Sequence, residues 1–493
     1  MNILLISTPS YSTLFPIGNM PNLGLLSIAS NLTGNHNIKI LESFNKKTHF
    51  INQIKNTIDT LSPDVIGISA MTFQYETAKI IAKYIKKEYP VIKTVLGGYH
   101  ATTMYEEIYE SDDKFYFDFI VRNEGEKTFD ELIISIENKL SFDNIMGLSY
   151  FDGVKVQHNK QREPLDLKEI KIPNRNFINK NDFSLFNPLQ MKNQGIMLIE
   201  TSRGCTNTCN FCVIRNMYQN SFRTYDLDRV IEDIINVRKS DIKMIFVVDD
   251  NICLDVERLK QLCKLIIEKK LNDIIYIVQC SSKGIATSEE LSYLMSKAGF
   301  TQVFLGIENN ENKNLKYLNK GNIINYTNLA IKYLHKNNIR IYGGLIIGLP
   351  EDDKKSIDSL FKFIENKEID YPFIQIVTPY PKTKIRESYK KMNLITNETD
   401  FTKYDGYWAN IRTKHLTSYE LEYYKILKLK KNRLLKFNLN FLTLRTKPLL
   451  FLKHLFINPI SYLIWEFSNR NYKKYFDNLV EELEKESNYY NVI

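Results

Sequence analysis

The feature that most constrains this chain is an alternation of short apolar runs with helical stripes, repeated in two separate blocks. In the first block Asn2–Ile6, Ile38–Leu41, Asp64–Ser69, Ile92–Gly98 and Phe119–Val121 read as strands. Between them Asn22–Leu32, Thr48–Leu61, Thr72–Glu88 and Glu126–Asn138 read as helices. In the third of these Ala78, Ile81, Ala82 and Ile85 recur at three- and four-residue steps, the period of one helix face. Strands alternating with crossover helices run parallel, so residues 1–140 are expected to form a doubly wound, Rossmann-like α/β sheet. Such sheets bind ligands beyond the carboxyl ends of their strands, where the loops here are polar or glycine-rich.

From about Gly147 to Gln194 the pattern is irregular, with a hairpin (Leu148–Phe151, Gly153–Gln157) and then a polar stretch holding Pro164 and Pro173. Residues 141–194 are therefore expected to be a linker. Alternation resumes with strands Ile196–Thr201, Met244–Val248, Ile274–Cys280, Gln302–Ile307, Ile339–Ile347 and Phe373–Val377. Six β/α units are too few for a closed eight-stranded barrel but enough for a partial one, so residues 195–385 are expected to form a partial (β/α)6 barrel. With 43% apolar and 25% charged residues among 493, the chain is neither disordered nor collagen-like.

Residues 386–493 are expected to be a mainly helical tail. Between Lys425 and Lys453 there are nine basic residues and no acidic one, which matches the net charge of +9 of the whole chain. That segment has three readings: a helix packed on the barrel with lysine stems over apolar neighbours, peripheral membrane contact through residues 425–467, or nucleic-acid binding. No RNA-binding module supports the last, and no nucleic-acid partner is expected. The run Pro448–Phe467 is apolar but broken by Lys453, His454, Asn458 and Pro459. No stretch reaches the roughly 18 apolar residues of a membrane-spanning helix. The opening Met1–Ile6 lacks the basic start of a signal peptide. A cytoplasmic location is expected, with membrane attachment through the tail as its variant.

The chemical signal is Cys205, Cys209 and Cys212, half of the chain's six cysteines within eight residues, directly after a strand. Soft thiolates suit zinc, copper(I) or iron–sulfur clusters. Structural zinc takes four ligands, and no fourth Cys or His is near. Three cysteines suit a 4Fe-4S cluster with one iron open to a ligand. Buried structural thiols, or zinc completed from afar, are the alternatives on spacing alone. Cys253, Cys263 and Cys280 are scattered; Cys263 sits among Leu259, Leu262 and Ile266, as a core residue would.

The C-x3-C-x2-C spacing, with Phe211 before the third cysteine and Ser202-Arg203-Gly204 before the first, resembles the radical S-adenosylmethionine (SAM) superfamily. The likeness continues at Val248-Asp249-Asp250-Asn251, at Gly306-Ile307-Glu308 and at Gly344–Pro350. It implies that Cys205, Cys209 and Cys212 hold the cluster and that Phe211, Asp249, Asp250, Glu308, Gly344 and Gly348 contact SAM. Asp249 and Asp250 also suit a helix cap, and Glu308 a solvated loop. Lys382 stands where relatives carry the glycine of a P-x-P-G-T turn.

The first block resembles the cobalamin-binding domain of the B12-dependent radical SAM family through Pro21-Asn22-Leu23-Gly24-Leu25, Asp64–Ser69, Gly97–Thr102 and Glu124-Gly125-Glu126. This implies cobalamin contacts at Ser69, Gly97, Gly98, His100, Glu124 and Gly125. The D-x-H-x-x-G signature, whose His ligates cobalt, is absent, so cobalamin is expected without that ligand. The lack of amino-terminal cysteines separates the chain from the methylthiotransferases. The resemblance implies a methyltransferase that uses a 5′-deoxyadenosyl radical to methylate an unactivated carbon, or phosphorus, in a small-molecule, lipid or peptide substrate. Flavodoxin or ferredoxin would supply electrons. A cyclase or oxidase without net methyl transfer, and a non-catalytic corrinoid-binding accessory protein, are the alternatives.

Overall fold

In a computed structural model, residues 1–9, 20–42, 50–187 and 192–437 are described. The first sheet holds β1 (Asn2–Ser7), β2 (Asn37–Leu41), β3 (Val65–Ser69), β4 (Lys93–Gly97), β5 (Phe119–Val121), β6 (Leu148–Phe151) and β7 (Val156–His158). Their spatial order is β2-β1-β3-β4-β5-β6-β7, parallel through β5 and antiparallel for the last two. The order reverses at β1, whose neighbours are β2 and β3, and the crevice there is where such sheets hold ligands.

The apolar strands are explained by cover on both faces. Helices α1 (Leu23–Asn31) and α5 (Gly125–Asn138) bury Leu25, Leu26, Phe129 and Leu132 on one face with Ile3 and Leu5. On the other, α2 (Phe50–Leu61), α3 (Tyr75–Glu88) and α4 (Tyr99–Glu110) bury Ile54, Ile81 and Ile108 with Leu4 and Ile6. Helix α4 has no counterpart among the expected elements. Its polar residues and two threonines blur the helical stripe, and it rests on Ala101, Ile108 and Tyr109.

The stretch 141–194, expected as a linker carrying a hairpin, contributes strands to both sheets. The hairpin β6–β7 extends the first sheet, while β8 (Ser184–Asn187) pairs antiparallel with β9 (Lys192–Ile199) at the edge of the second.

After β9 come β10 (Ser202–Gly204) and β11 (Phe222–Thr224), a small antiparallel ribbon, and then β12 (Met244–Val247), β13 (Ile275–Ser281), β14 (Phe300–Glu308), β15 (Arg340–Ile347) and β16 (Tyr371–Ile376). The second sheet runs β16-β15-β14-β13-β12-β9-β8, with its first six strands parallel and in chain order. That is the partial (β/α)6 barrel. Val303, Leu305 and Ile307 of β14 are fully buried under the outer helices, whereas Phe304 and Gly306 are only half-buried on the inner face.

Beyond the barrel, the helix Ser418–Phe437 packs on the helix Lys354–Asn366, with Leu421 in the core and Tyr424 donating to Asp358 at 3.2 Å. Lys425, counted above in the basic segment, points inward and is 3% exposed. Lys428 is paired with Asp358. Among the described residues no helix is long and apolar enough to cross a membrane. Residues 438–493, including the run 448–467, lie outside the described residues.

Candidate active site

The cysteine loop leaves the β10–β11 ribbon through Gly204, whose φ is +86° and where a Cβ would stand 2.2 Å from the Ser221 carbonyl oxygen. Only glycine fits there. The loop is then pinned to the barrel. Asn210 donates from its backbone to the Leu318 carbonyl at 3.1 Å and from its side chain to the Tyr317 carbonyl at 2.7 Å. Asn319 donates to the Thr208 carbonyl at 2.7 Å.

Cys205, Cys209 and Cys212 are free and half-buried. Burial pushes all three thiols up, Cys212 to about 12, while the nearby Lys320 ammonium works against the rise at Cys205 and Cys209. Lys320 is itself half-buried, 3.0 Å from Glu308 Oε1. Among the described residues no three His, Cys, Asp or Glu side chains gather to hold one metal ion. A cluster that gives each thiolate its own iron does not require that convergence, whereas zinc does. The donor set fits the cluster.

The paired aspartates have different surroundings. Asp249 is fully buried at the end of β12 and accepts from Thr201 N and Thr201 Oγ1, both at 2.6 Å, and from Ser202 Oγ at 2.5 Å. Its carboxylate ties β12 to the end of β9. Among the described residues Asp250 accepts only Gly204 N, at 2.9 Å, on Oδ2, and burial pushes its carboxyl up to about 7. Glu308 ends β14 at φ +59°, beside a register shift against β15, and its Oε2 is buried without a hydrogen-bond partner. An orphaned acceptor beside the cysteine loop suits a ligand rich in donors.

Phe211 packs partly buried against the barrel core. Gly344 faces the inner side of β15, where a Cβ would meet the Phe304 ring at 2.8 Å. Gly348, at φ +87°, opens a turn in which Asp352 accepts its N–H at 2.9 Å. Both glycines therefore have reasons internal to the fold.

On the first domain, Ser69 and Gly97 end β3 and β4 half-buried, and a Cβ on Gly97 would meet nothing nearer than 4.0 Å. Gly98, at φ +97°, is confined, since a Cβ would lie 2.6 Å from the Ala70 carbonyl. At the same sheet end Thr8 Oγ1 is buried and unpartnered. His100 lies in the first turn of α4, its N–H donating to the Ala70 carbonyl at 3.3 Å. It is buried in the domain, stacked on Tyr75 with ring centroids 4.0 Å apart and edge-on to Phe401, and burial pushes its pKa down to about 3. Glu124 is bound to Arg203 at 3.0 Å and Arg223 at 2.9 Å, and Gly125 backs onto Ile28.

The two domains meet at the cysteine loop. Burial raises the phenol of Tyr99, next after Gly98, and the nearby Tyr218, Asp250 and Cys212 add to the rise. Asn123 donates from its side chain to the carbonyls of Asn216 and Met217 at 2.9 and 2.8 Å.

Residues 17–133 match the B12 binding domain and residues 199–364 match the Radical SAM superfamily, together more than half of the chain. The chain belongs to the B12-binding radical SAM proteins. An uncharacterized methyltransferase of Pyrococcus horikoshii is 28% identical to this B12-binding radical SAM protein over 85% of this chain and 90% of its own. The anaerobic magnesium-protoporphyrin IX monomethyl ester cyclase of Rubrivivax gelatinosus is 25% identical over 72% of this chain, a match spanning 62% of the cyclase. In fold, the chain resembles the radical S-adenosylmethionine methyltransferase TsrM from Kitasatospora setae, solved with cobalamin and a 4Fe-4S cluster bound. The TM-score is 0.66 at 15% identity, covering 80% of this chain and 79% of that one.

Sequence reading of this B12-binding radical SAM protein missed Lys320 and Tyr99. Neither stands in a spacing pattern, and each reaches the cysteine loop only through the tertiary fold.

Proposed function

We propose that the chain is a cobalamin-dependent radical SAM methyltransferase that adds a methyl group to an unactivated carbon, or to phosphorus, of a small molecule. The observation that carries this reading is the meeting of two sites. The crevice end of the doubly wound sheet meets, through Asn123 donating to the Asn216 and Met217 carbonyls, the segment that follows the three free thiols. When bound, the cluster supplies the electron that breaks a carbon–sulfur bond of SAM, and cobalamin supplies the transferable methyl.

Cys205, Cys209 and Cys212 would hold the cluster as thiolates, with Lys320 offsetting part of their charge. Asp250 is the acid free to receive the SAM ammonium, because Asp249 is saturated by Thr201 and Ser202. Glu308 Oε2 would accept from a SAM donor. Ser69, Gly97 and Thr8 line the crevice that would take the cobalamin tail, and the barrel wall would keep water from the reacting centre. Flavodoxin or ferredoxin is the expected electron donor.

The test is anaerobic reconstitution of the full chain with iron, sulfide, hydroxocobalamin and SAM, followed by reduction. One cobalt and one 4Fe-4S cluster per chain are expected, with 5′-deoxyadenosine and S-adenosylhomocysteine both formed. The likeness to the cyclase favours a second reading, ring closure without net methyl transfer. Under it, 5′-deoxyadenosine appears without S-adenosylhomocysteine. Iron without cobalt would overturn both.

A further inference from the structure

We infer that Arg203 is a positioning residue that sets the spacing of the two cofactors, by clamping the B12-binding domain onto the strand that carries the cysteine loop. The inference rests on the function proposed above and adds a role for residues to which that function assigns none.

Arg203 lies two residues before Cys205, and its side chain is 6% exposed. Its guanidinium reaches Glu124 Oε1 at 3.0 Å, Glu126 Oε1 at 2.7 Å and Glu200 Oε1 at 2.6 Å. Glu124 and Glu126 flank the start of α5, directly after β5 of the first sheet, whereas Glu200 belongs to the barrel strand end. Further donors surround the carboxylates. Glu124 Oε2 takes Arg223 at 2.9 Å and Leu165 N at 3.1 Å, Ser27 Oγ donates to Glu126 at 2.7 Å, and the Tyr225 hydroxyl donates to Glu200 at 2.5 Å. The guanidinium of Arg203 also sits 5.9 Å from the Tyr225 ring centre.

Three carboxylates and two guanidiniums in a buried interface are an expensive way to hold two domains together. Removing such charges from water costs several kcal/mol each, and apolar packing of equal volume does as well or better. What apolar packing lacks is direction. A guanidinium fork has fixed geometry and binds carboxylates at set angles. Here the fork is held from both domains at once, and only Gly204 separates it from the first cysteine. A shift of the B12-binding domain would therefore move the cluster loop with it. Transfer between two cofactors demands that spacing, because a reacting centre displaced by about 1 Å can lose two orders of magnitude in rate.

The experiment uses the full chain reconstituted with iron, sulfide and hydroxocobalamin, as wild type, Arg203→Met, Arg203→Lys and Glu126→Gln. Iron and cobalt per chain are measured first. Microwave-power saturation of the cob(II)alamin signal is then recorded with the cluster oxidised and reduced, a readout of the distance between the two centres. Arg203→Met should keep both cofactors yet lose the cluster-dependent relaxation of the cobalt signal, and Arg203→Lys should recover part of it. With SAM added, the methionine variant should still form 5′-deoxyadenosine while yielding less S-adenosylhomocysteine. Unchanged relaxation in a methionine variant that holds both cofactors would overturn the clamp alone. If that variant does not fold, Arg203→Lys and Glu126→Gln carry the comparison, and wild-type relaxation in both would overturn it equally. Absence of cobalt from the wild type would remove the proposed function, and the clamp with it.

Discussion

At the scale of single residues, Asp249 and Asp250 show how neighbours in sequence take different work. Asp249 satisfies three donors from Thr201 and Ser202 while buried from solvent, so an amide in its place turns an N–H₂ toward groups that also donate. Asp249→Asn should cost about 1–3 kcal/mol of stability, read as a lower urea midpoint in the protein without cofactors. Asp250 has one backbone donor and a second oxygen to spare. Asp250→Asn should leave the urea midpoint near wild type and weaken SAM binding in equilibrium dialysis of the reconstituted protein. Equal loss of SAM binding in both variants, with equal stability, would erase the distinction. Both aspartates look equally suited to the ammonium in sequence. Only the fold shows that one is already occupied.

Among the elements, the helix Ser418–Phe437 departs most from its composition. Its sequence suggests a basic surface, yet Lys425 is buried over the Tyr407 ring at 4.6 Å, with the Gly406 carbonyl as its hydrogen-bond acceptor at 3.3 Å. Burial pushes its ammonium down from the usual 10.5 to about 8. The folded protein thus releases this proton near pH 8 and the unfolded chain near pH 10.5. Between those values the unfolded state binds more protons, and stability rises with pH. The melting temperature of the wild type should therefore gain on that of Lys425→Met as pH climbs from about 8 toward 10, a gain worth a few kcal/mol at most. A constant difference between the two would show that the ammonium keeps its ordinary proton. Lysine stems over apolar neighbours were one reading of this segment, and for Lys425 the head is buried too.

For the molecule as a whole, the hairpin β6–β7 decides where the first domain can be cut. A fragment ending at residue 140 would strip β5 of one of its two partners and leave a short apolar edge strand exposed. It would also lose the Leu148 carbonyl to which Arg122 donates at 3.2 Å and the Ser149 carbonyl that accepts from Tyr109 at 3.2 Å. A fragment of residues 1–163 should stay monodisperse in size-exclusion chromatography where a fragment of residues 1–140 aggregates. Equal behaviour of the two would mean that the hairpin is dispensable.

The sequence by itself determined the parallel cores of the two sheets, the partial closure of the second and the cysteine loop at its first parallel strand. Each of these is a local property: the period of a helix face, the length of an apolar run, a spacing of eight residues. Tertiary structure alone decided what those parts face. Arg203 meets Glu126 across 77 residues of chain and Ser27 across 176, and no periodicity carries such a pairing. The Glu124-Gly125-Glu126 segment and the Ser202-Arg203-Gly204 segment were each legible as motifs. That they bind one another follows only from the docking of one domain on the other, where buried charge must find its partner.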